Sequence, residues 1–274
     1  MRQPACMLLA FDRQLWVGQA RTREPFAQRA ATQLLQASAP RHTSPTYCKT
    51  IIAFQGPQNL NNPMSEEFPT DIYTEPQGID VNTLANLGPL QAMAGVWEGT
   101  RGLDVKPKAE GPKKQAYAER IELQPIDPQT NGPQLFYGLR YHQHVVKPNQ
   151  VKTYHDQVGY WLWEPATGTI IHTLTIPRGQ VAMAAGQASA DATAFELVAT
   201  QGLETYGICS APFLQRAFRT TEFRIRITIN VDGTWSYDED TVLQILGQAE
   251  PFHHTDRSTL VKVAEPTPNP LARG

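Results

Sequence analysis

The feature that most constrains the fold is a series of short alternating segments that fills residues 95–264. The clearest is TEFRIRITIN at 221–230, where Phe223, Ile225 and the following isoleucines alternate with polar residues. Such alternation is typical of a strand with one buried face and one solvated face. Turn residues separate these runs, as in VDG at 231–233. The pattern predicts an all-β domain.

Ten strands are predicted in this region. They span residues 95–101, 115–127, 134–146, 151–164, 168–177, 179–187, 193–200, 217–230, 234–248 and 254–264. Sequential antiparallel strands leave unpaired edges unless the sheet closes, which would pair the first strand with the last. We therefore expect a ten-stranded antiparallel β-barrel, wide enough to hold a small-molecule ligand. The segment 80–94 has apolar residues at spacings of three and predicts a short helix, broken at Gly88 and Pro89.

Composition divides the chain into four parts. Residues 1–63 are a basic leader, with seven Arg or Lys residues against two acidic ones. This leader fits an unstructured extension, sequence that precedes a natural start at Met64, or an organelle transit peptide. Residues 64–94 are a lead-in with the short helix, residues 95–264 are the barrel, and residues 265–274 are a Pro-rich tail.

Charge and cysteine content exclude several classes of function. The net charge of −2 conceals an acidic main body, because the leader is basic. Phosphate binding requires clustered Lys and Arg, so nucleic acid is not an expected partner. Cys209 is the single cysteine of the main body, which cannot form an internal disulfide, and this favours a cytoplasmic location. No apolar run approaches the ~20 residues of a membrane span, so we expect no membrane partner.

The segment LGPLQAMAGVWEGTRG at 87–102 resembles the opening of the nitrobindin-type heme-binding β-barrels, relatives of the intracellular fatty-acid-binding proteins. That family carries G-x-W-x-G-x-G on its first strand, after a short helix. Three residues match this pattern: Gly95, Trp97 and Gly99. Arg101 stands where the last glycine is expected, and Gly102 follows one place later. The resemblance covers residues 84–264, and in such barrels the tryptophan closes one end while the glycines let the strand bend.

The resemblance implies a ten-stranded, fatty-acid-binding-protein-like barrel that binds heme b at its open end. One histidine at the start of the last strand holds the ferric iron, and some members are regarded as peroxynitrite isomerases. In this chain the adjacent His253 and His254 stand in that place. Successive strand residues point to opposite faces, so at most one of them faces inwards, and we favour His254. Asp256 is the candidate acceptor for its second ring nitrogen.

Other interpretations of these residues remain open. His253 and His254 can both be solvated rim residues beside Asp256 and Arg257. In that case Arg101, a long cationic side chain expected near the opening, is a candidate to hold an anionic ligand.

A second group of histidines flanks the predicted turn KPNQ at 147–150. If Val146 pairs with Val151, three imidazoles share one face and can bind zinc or iron. These are His142, His144 and His155. The alternative is that they lie on the outer or rim surface. The carboxylates of SYDEDT at 236–241 alternate between faces, which argues against acid–base catalysis by them.

Three functions follow from these observations. The first is a heme-binding barrel that acts on peroxynitrite or nitric oxide, and the second is a heme-free carrier of a small apolar or amphipathic molecule. The third is a metal-dependent enzyme at the hairpin histidines. We rank them in that order.

Overall fold

The computed structural model describes residues 70–268. The predicted leader, 1–63, and residues 269–274 lie outside the described residues. The helices are α1 (Thr83–Asn86), a 3₁₀ helix (Gly88–Met93) and α2 (Pro212–Ala217). The strands are β1 (Gly95–Lys106), β2 (Lys113–Asn131), β3 (Gln134–Val146), β4 (Thr153–Glu164), β5 (Thr169–Ile176), β6 (Gln180–Gln187), β7 (Ala194–Thr200), β8 (Ile208–Ser210), β9 (Phe218–Ile229), β10 (Trp235–Ile245) and β11 (Phe252–Ala264). No helix in this part of the chain is long and apolar enough to cross a membrane.

Ten of the strands close into an antiparallel barrel, which confirms the predicted fold class. They pair in the order β1–β2–β3–β4–β5–β6–β7–β9–β10–β11, and β11 returns to pair with β1. This closing pair joins Trp97 to Lys262 and Val105 to Thr255. The three-residue strand β8 is not part of the ring and pairs with the beginning of β6. Pairing of the first and last strands removes the free edges that an open sheet would expose.

Alternation along each strand separates a buried inner face from a charged outer face. On β9, Ile225 and Ile227 face inwards and are buried. Arg224 and Arg226 face outwards, and both pair with Glu196 on β7, at 2.5 and 2.8 Å. Burial of one such isoleucine contributes about 1.5–3 kcal/mol, whereas an exposed ion pair contributes at most about 1 kcal/mol. The inner face therefore supplies most of the stability.

The segment before β1 closes one end of the barrel. Leu87, Leu90 and Met93 are fully buried in the core, and the predicted break at Gly88 coincides with the start of the 3₁₀ helix, just after α1 ends. Gly88 has a φ of +53°, a conformation that favours glycine. Trp97 packs beneath this segment and donates a hydrogen bond from Nε1 to the Met93 carbonyl oxygen at 2.7 Å. This end is apolar, so the polar groups of the interior gather towards the other end.

Strand β1 contains a β-bulge between its second and third glycines. Gly99 pairs with Glu119 and Gly102 pairs with Tyr117, so two residues of β1 oppose a single residue of β2. Gly102 thereby takes the inner position, where a Cβ would lie 2.1 Å from the Tyr117 ring. Arg101 is the extra residue and is exposed. The bulge explains why the last glycine of the family pattern comes one place late.

Candidate functional site

The two adjacent histidines lie on opposite faces of β11. His254 faces inwards, on the same side as the fully buried Leu260, and its Nε2 lies 2.7 Å from Asp104 Oδ1. Its side chain is 36% exposed. His253 faces outwards, is 62% exposed and pairs with Asp240 on β10, with Nδ1 and Oδ2 2.7 Å apart. Of the two, only His254 can contact a ligand inside the barrel.

Asp104 anchors His254 from β1 and is almost fully buried. Its second oxygen, Oδ2, accepts a hydrogen bond from the Tyr154 hydroxyl on β4, and Lys106 Nζ lies 3.8 Å from the same oxygen. Burial alone raises the pKa of Asp104, but the hydrogen bonds from His254 and Tyr154, with the charges of His254 and Lys106, bring that pKa below its usual value. The expectation that Asp256 is the acceptor is wrong, because the bulge turns Asp104 towards the imidazole.

Carboxyl and phenol groups form a connected network on the inner face. Glu119 on β2 is fully buried, and its Oε2 accepts hydrogen bonds from Gln143 Nε2 at 2.6 Å and the Tyr237 hydroxyl at 3.0 Å. The Tyr117 hydroxyl lies 2.7 Å from that of Tyr237 and donates to Asp256. The half of the barrel opposite α1 and the 3₁₀ helix is therefore polar inside.

Several carboxyl groups of this interior have raised pKa values. Burial raises the pKa of Glu119 to about 7. Burial, together with the charge of Glu239, raises the pKa of Asp256, and burial also raises the pKa of Glu239. Carboxyl groups that stay protonated near neutral pH can lie close together, because they avoid the repulsion between full negative charges. Glu239 lies on the same face as the buried Tyr237, whereas Asp238 and Asp240 lie on the outer face, where Asp240 pairs with His253. This matches the alternation expected of the segment.

Two further imidazoles reach the interior. His155 on β4 has its Nε2 3.0 Å from Gln157 Oε1, and burial lowers its pKa. His172 on β5 stacks on Trp161 with ring centroids 3.9 Å apart, and burial lowers its pKa to about 3. Both imidazoles are therefore neutral at pH 7. Sequence reasoning did not single out His172, although its alternation with the buried Ile170 marks an inner position.

The hairpin histidines do not share one face, as a metal site at the β3–β4 hairpin would require, and the alternative of an outer-surface position holds for His142 and His144. Val146 pairs with Thr153 and not with Val151, because the connecting loop is longer than the predicted turn. Two of the histidines therefore face outwards, His142 and His144. His155 faces inwards instead of joining them. Within residues 70–268, no group of three or more His, Cys, Asp or Glu side chains is arranged to hold a metal ion.

The motif glycines have structural positions, and Arg101 lies away from the interior. Gly95 has a φ of +128°, and a Cβ there would lie 2.7 Å from the Ala264 carbonyl oxygen. A Cβ at Gly99 would meet a buried side-chain oxygen at 2.7 Å. Arg101 lines a groove on the outer surface between β1, β10 and β11. It is therefore not among the groups that surround His254.

The fold and this polar end define the class of protein, a small-molecule-binding β-barrel with a histidine facing its interior. A family model described as a THAP4-like, heme-binding beta-barrel domain matches residues 86–262, more than half of the chain. The chain belongs to this family, which confirms the nitrobindin-type resemblance and supports a heme-binding barrel protein.

Several solved structures are similar to the chain. The crystal structure of Rv2717c from M. tuberculosis aligns with a TM-score of 0.47 and 23% identity, over 67% of this chain and 99% of that chain. No curated protein matches the sequence.

The polar end offers one imidazole to a heme iron, but that imidazole is already engaged. Heme iron is commonly held by one neutral imidazole. Protein imidazoles bind it through Nε2, because the Cβ substituent beside Nδ1 collides with the porphyrin. In this structure Nε2 of His254 is hydrogen-bonded to the buried carboxylate of Asp104. His254 therefore fits a heme only if Nε2 leaves Asp104.

Proposed function

We propose that the protein binds heme b at the polar end of the barrel, with His254 as the axial ligand of ferric iron. The observation that carries this proposal is the inward and partly exposed imidazole of His254 in a chain that belongs to a heme-binding family. Binding of iron by Nε2 requires that this nitrogen leave Asp104. When bound, the heme supplies an iron with a coordination position for a small ligand, which we propose to be peroxynitrite or nitric oxide.

Different side chains of the barrel have different roles in this proposed site. His254 would hold the iron through Nε2, the nitrogen that is hydrogen-bonded to Asp104 in this structure. The apolar end around Trp97 excludes water from the base of the barrel. Glu239 and Asp256, whose raised pKa values keep protons available near neutral pH, are the interior groups that can exchange a proton. We propose a cytoplasmic location, since Cys209 has no partner cysteine within the described residues.

A heme-free carrier is the second candidate function. The carboxyl and phenol groups around Glu119, Tyr117 and Tyr237 favour it, because a polar interior suits an amphipathic molecule that brings its own hydrogen-bonding group. Such a ligand would occupy the same end of the barrel without any need for His254.

Titration with hemin distinguishes these two functions. The wild-type protein should develop a Soret band typical of one axial histidine, and His254→Ala should lose it. Thermal melting of this variant should change little, because the side chain is partly exposed at the end of its strand and packs little of the core. The matched variant His253→Ala removes the outward imidazole and should bind hemin as the wild type does. Equal hemin binding by His254→Ala and wild type would favour the heme-free carrier.

The proposed reaction has its own test. Ferric protein mixed with peroxynitrite in a stopped-flow instrument should speed its decay and raise the yield of nitrate over nitrite. The His254→Ala variant with the same amount of added hemin is the control. A wild-type decay rate no greater than that control would remove peroxynitrite as the substrate while leaving heme binding in place.

A further inference from the structure

Charge is distributed unevenly between the two ends of the barrel. Within residues 70–268, the segments at the polar end carry nine Lys or Arg residues and three Glu residues. The segments at the end closed by α1 carry eight Asp or Glu residues and no Lys or Arg. The segments of the polar end, which form the basic rim, are 106–114, 147–152, 177–179, 201–219 and 246–251. Those of the opposite, acidic end are 70–94, 127–133, 164–168, 188–193, 230–234 and 265–268.

Lysines from different loops of the basic rim lie close together. The Nζ atoms of Lys106 and Lys147 lie 4.2 and 5.4 Å from the centre of the Tyr154 ring. Burial, together with the like charges of three neighbouring lysines, lowers the pKa of Lys106, although the charge of a nearby carboxylate opposes this. These neighbours are Lys147, Lys108 and Lys113. In the described part of the chain none of the three forms a salt bridge, so an anionic partner would relieve their repulsion.

Large apolar side chains are exposed beside cations of the same rim. Phe213 on α2 is 71% exposed, and its ring lies against that of Phe218 with centroids 6.3 Å apart. Leu246 is 67% exposed and is held next to them, because its N–H donates to the last carbonyl oxygen of α2 at 3.1 Å. Arg216 and Arg219 are exposed in this segment. Exposed apolar side chains that cluster in this way mark an interaction surface.

We propose that the basic rim docks on the surface of an anionic lipid bilayer, with Phe213 and Leu246 inserted at the boundary between headgroups and acyl chains. Each Lys or Arg near such a surface strengthens binding about 5-fold, and burial of apolar side chains adds to this. The acidic end is repelled and faces away, so the end of the barrel that contains His254 faces the bilayer. This inference goes beyond the proposed function and does not depend on what the interior binds.

A bilayer suits this surface better than other anionic partners. A nucleic-acid backbone would pair with the lysines but leave Phe213 and Leu246 in water. A bilayer offers anionic headgroups and an apolar layer to the same face of the protein. The expectation of no membrane partner was based on the absence of an apolar run that could span a bilayer, and docking at the surface requires no such run.

Flotation of the full-length protein with lipid vesicles tests the basic charges. The wild type should bind vesicles that contain phosphatidylserine, and not vesicles of phosphatidylcholine alone. The double variant Lys108→Gln and Lys113→Gln should bind the first kind about 25-fold more weakly. The control, Arg101→Gln and Arg140→Gln, removes two exposed charges from the outer wall of the barrel and should bind as the wild type does. All of these proteins contain the basic residues 1–63, so equal binding by the two double variants would overturn the proposal.

A second pair of variants tests the apolar contact. Phe213→Ala should weaken binding to phosphatidylserine vesicles about 5-fold or more. Tyr73→Ala removes an equally exposed aromatic ring from the acidic end and should have no effect. Weaker binding in the lysine variant with unchanged binding in Phe213→Ala would overturn the bilayer as the partner and favour a nucleic acid or an acidic protein.

Fluorescence tests which end of the barrel contacts the bilayer. In Phe213→Trp, vesicles that contain brominated lipids and phosphatidylserine should quench more of the tryptophan emission than in the wild type. In Tyr73→Trp the added emission should not be quenched, because that residue belongs to the acidic end. Quenching in Tyr73→Trp but not in Phe213→Trp would place the acidic end on the bilayer and overturn the proposal.

Discussion

Replacing Glu119 with glutamine should stabilise the protein at pH 8 and have almost no effect at pH 4.5. The carboxyl group is fully buried, and its Oε2 accepts hydrogen bonds from Gln143 and Tyr237. The titratable groups facing it from its own and neighbouring strands are Tyr117, Tyr237, Glu239 and Asp256. Because none of these groups supplies a positive charge, ionisation of Glu119 in the folded protein is not compensated.

The magnitude follows from the pKa of the buried carboxyl. Burial raises the pKa of Glu119 to about 7, from an ordinary value of 4.5. The folded protein therefore holds this proton to a higher pH than the unfolded chain. Its contribution to stability is fully present below pH 4.5 and is lost as the pH rises through 7. At about 1.4 kcal/mol for each pKa unit, the loss by pH 8 is about 3 kcal/mol. Glutamine has nearly the same shape as protonated glutamate but does not ionise. The Glu119→Gln variant should therefore not lose this stability as the pH rises.

Urea denaturation of the wild type and Glu119→Gln between pH 4.5 and 8.5 tests this prediction. The difference in the free energy of unfolding should grow with pH and level off above pH 7. Glu122→Gln is the matched control on the same strand, since Glu122 faces outwards and pairs with Arg120 at 3.1 Å. Its effect should stay within about 1 kcal/mol at every pH. A difference for Glu119→Gln that is the same at pH 5 and pH 8 would refute the reasoning.

Two further substitutions test the packing of the barrel. Gly159→Ala would place a Cβ 1.9 Å from the backbone oxygen of Thr173 on β5, so the variant should lose at least about 1–3 kcal/mol, and a wild-type melting temperature would contradict this contact. Trp97→Phe removes the hydrogen bond to the Met93 carbonyl oxygen in a fully buried site, so the unfolding free energy should fall by about 1–3 kcal/mol. Calorimetry at pH 7 measures the stability of both variants. If Trp97→Phe has the same free energy of unfolding as the wild type, this indole is not needed to close the barrel.

The strands of the barrel could be predicted because their physical cause is local. Alternation of the kind seen in β9 requires only that each strand has one buried face, and a series of such strands must close to protect its edges. The helical break at Gly88 could also be predicted from the local sequence, since a proline follows the glycine directly. Most strand boundaries therefore matched closely, although β1 continues to Lys106, beyond the expected end at residue 101, and neither β8 nor α2 was predicted.

The interior network was harder to predict because it depends on pairs of strands. Glu119 shares a face with the buried Ile121 and Leu123, so alternation alone could have marked it as an inward carboxyl. Its partners Gln143 and Tyr237 come from β3 and β10, and the sequence does not reveal that these strands place them together. The error at the hairpin histidines had a local cause. The predicted loop was too short, and this assigned the wrong face to His155.

The bulge in β1 explains how a single residue changes the chemistry of the site. Trp97 faces inwards, and strict alternation from there would turn Arg101 into the barrel and Asp104 out of it. The inserted residue reverses this assignment, so Gly102 and Asp104 face inwards and Arg101 faces solvent. Without that reversal, His254 would have no carboxylate from β1, and an arginine would lie in the interior instead. The departure from the family pattern at Arg101 is therefore not a lost glycine but an added residue outside the barrel, which preserves the inner face that binds His254.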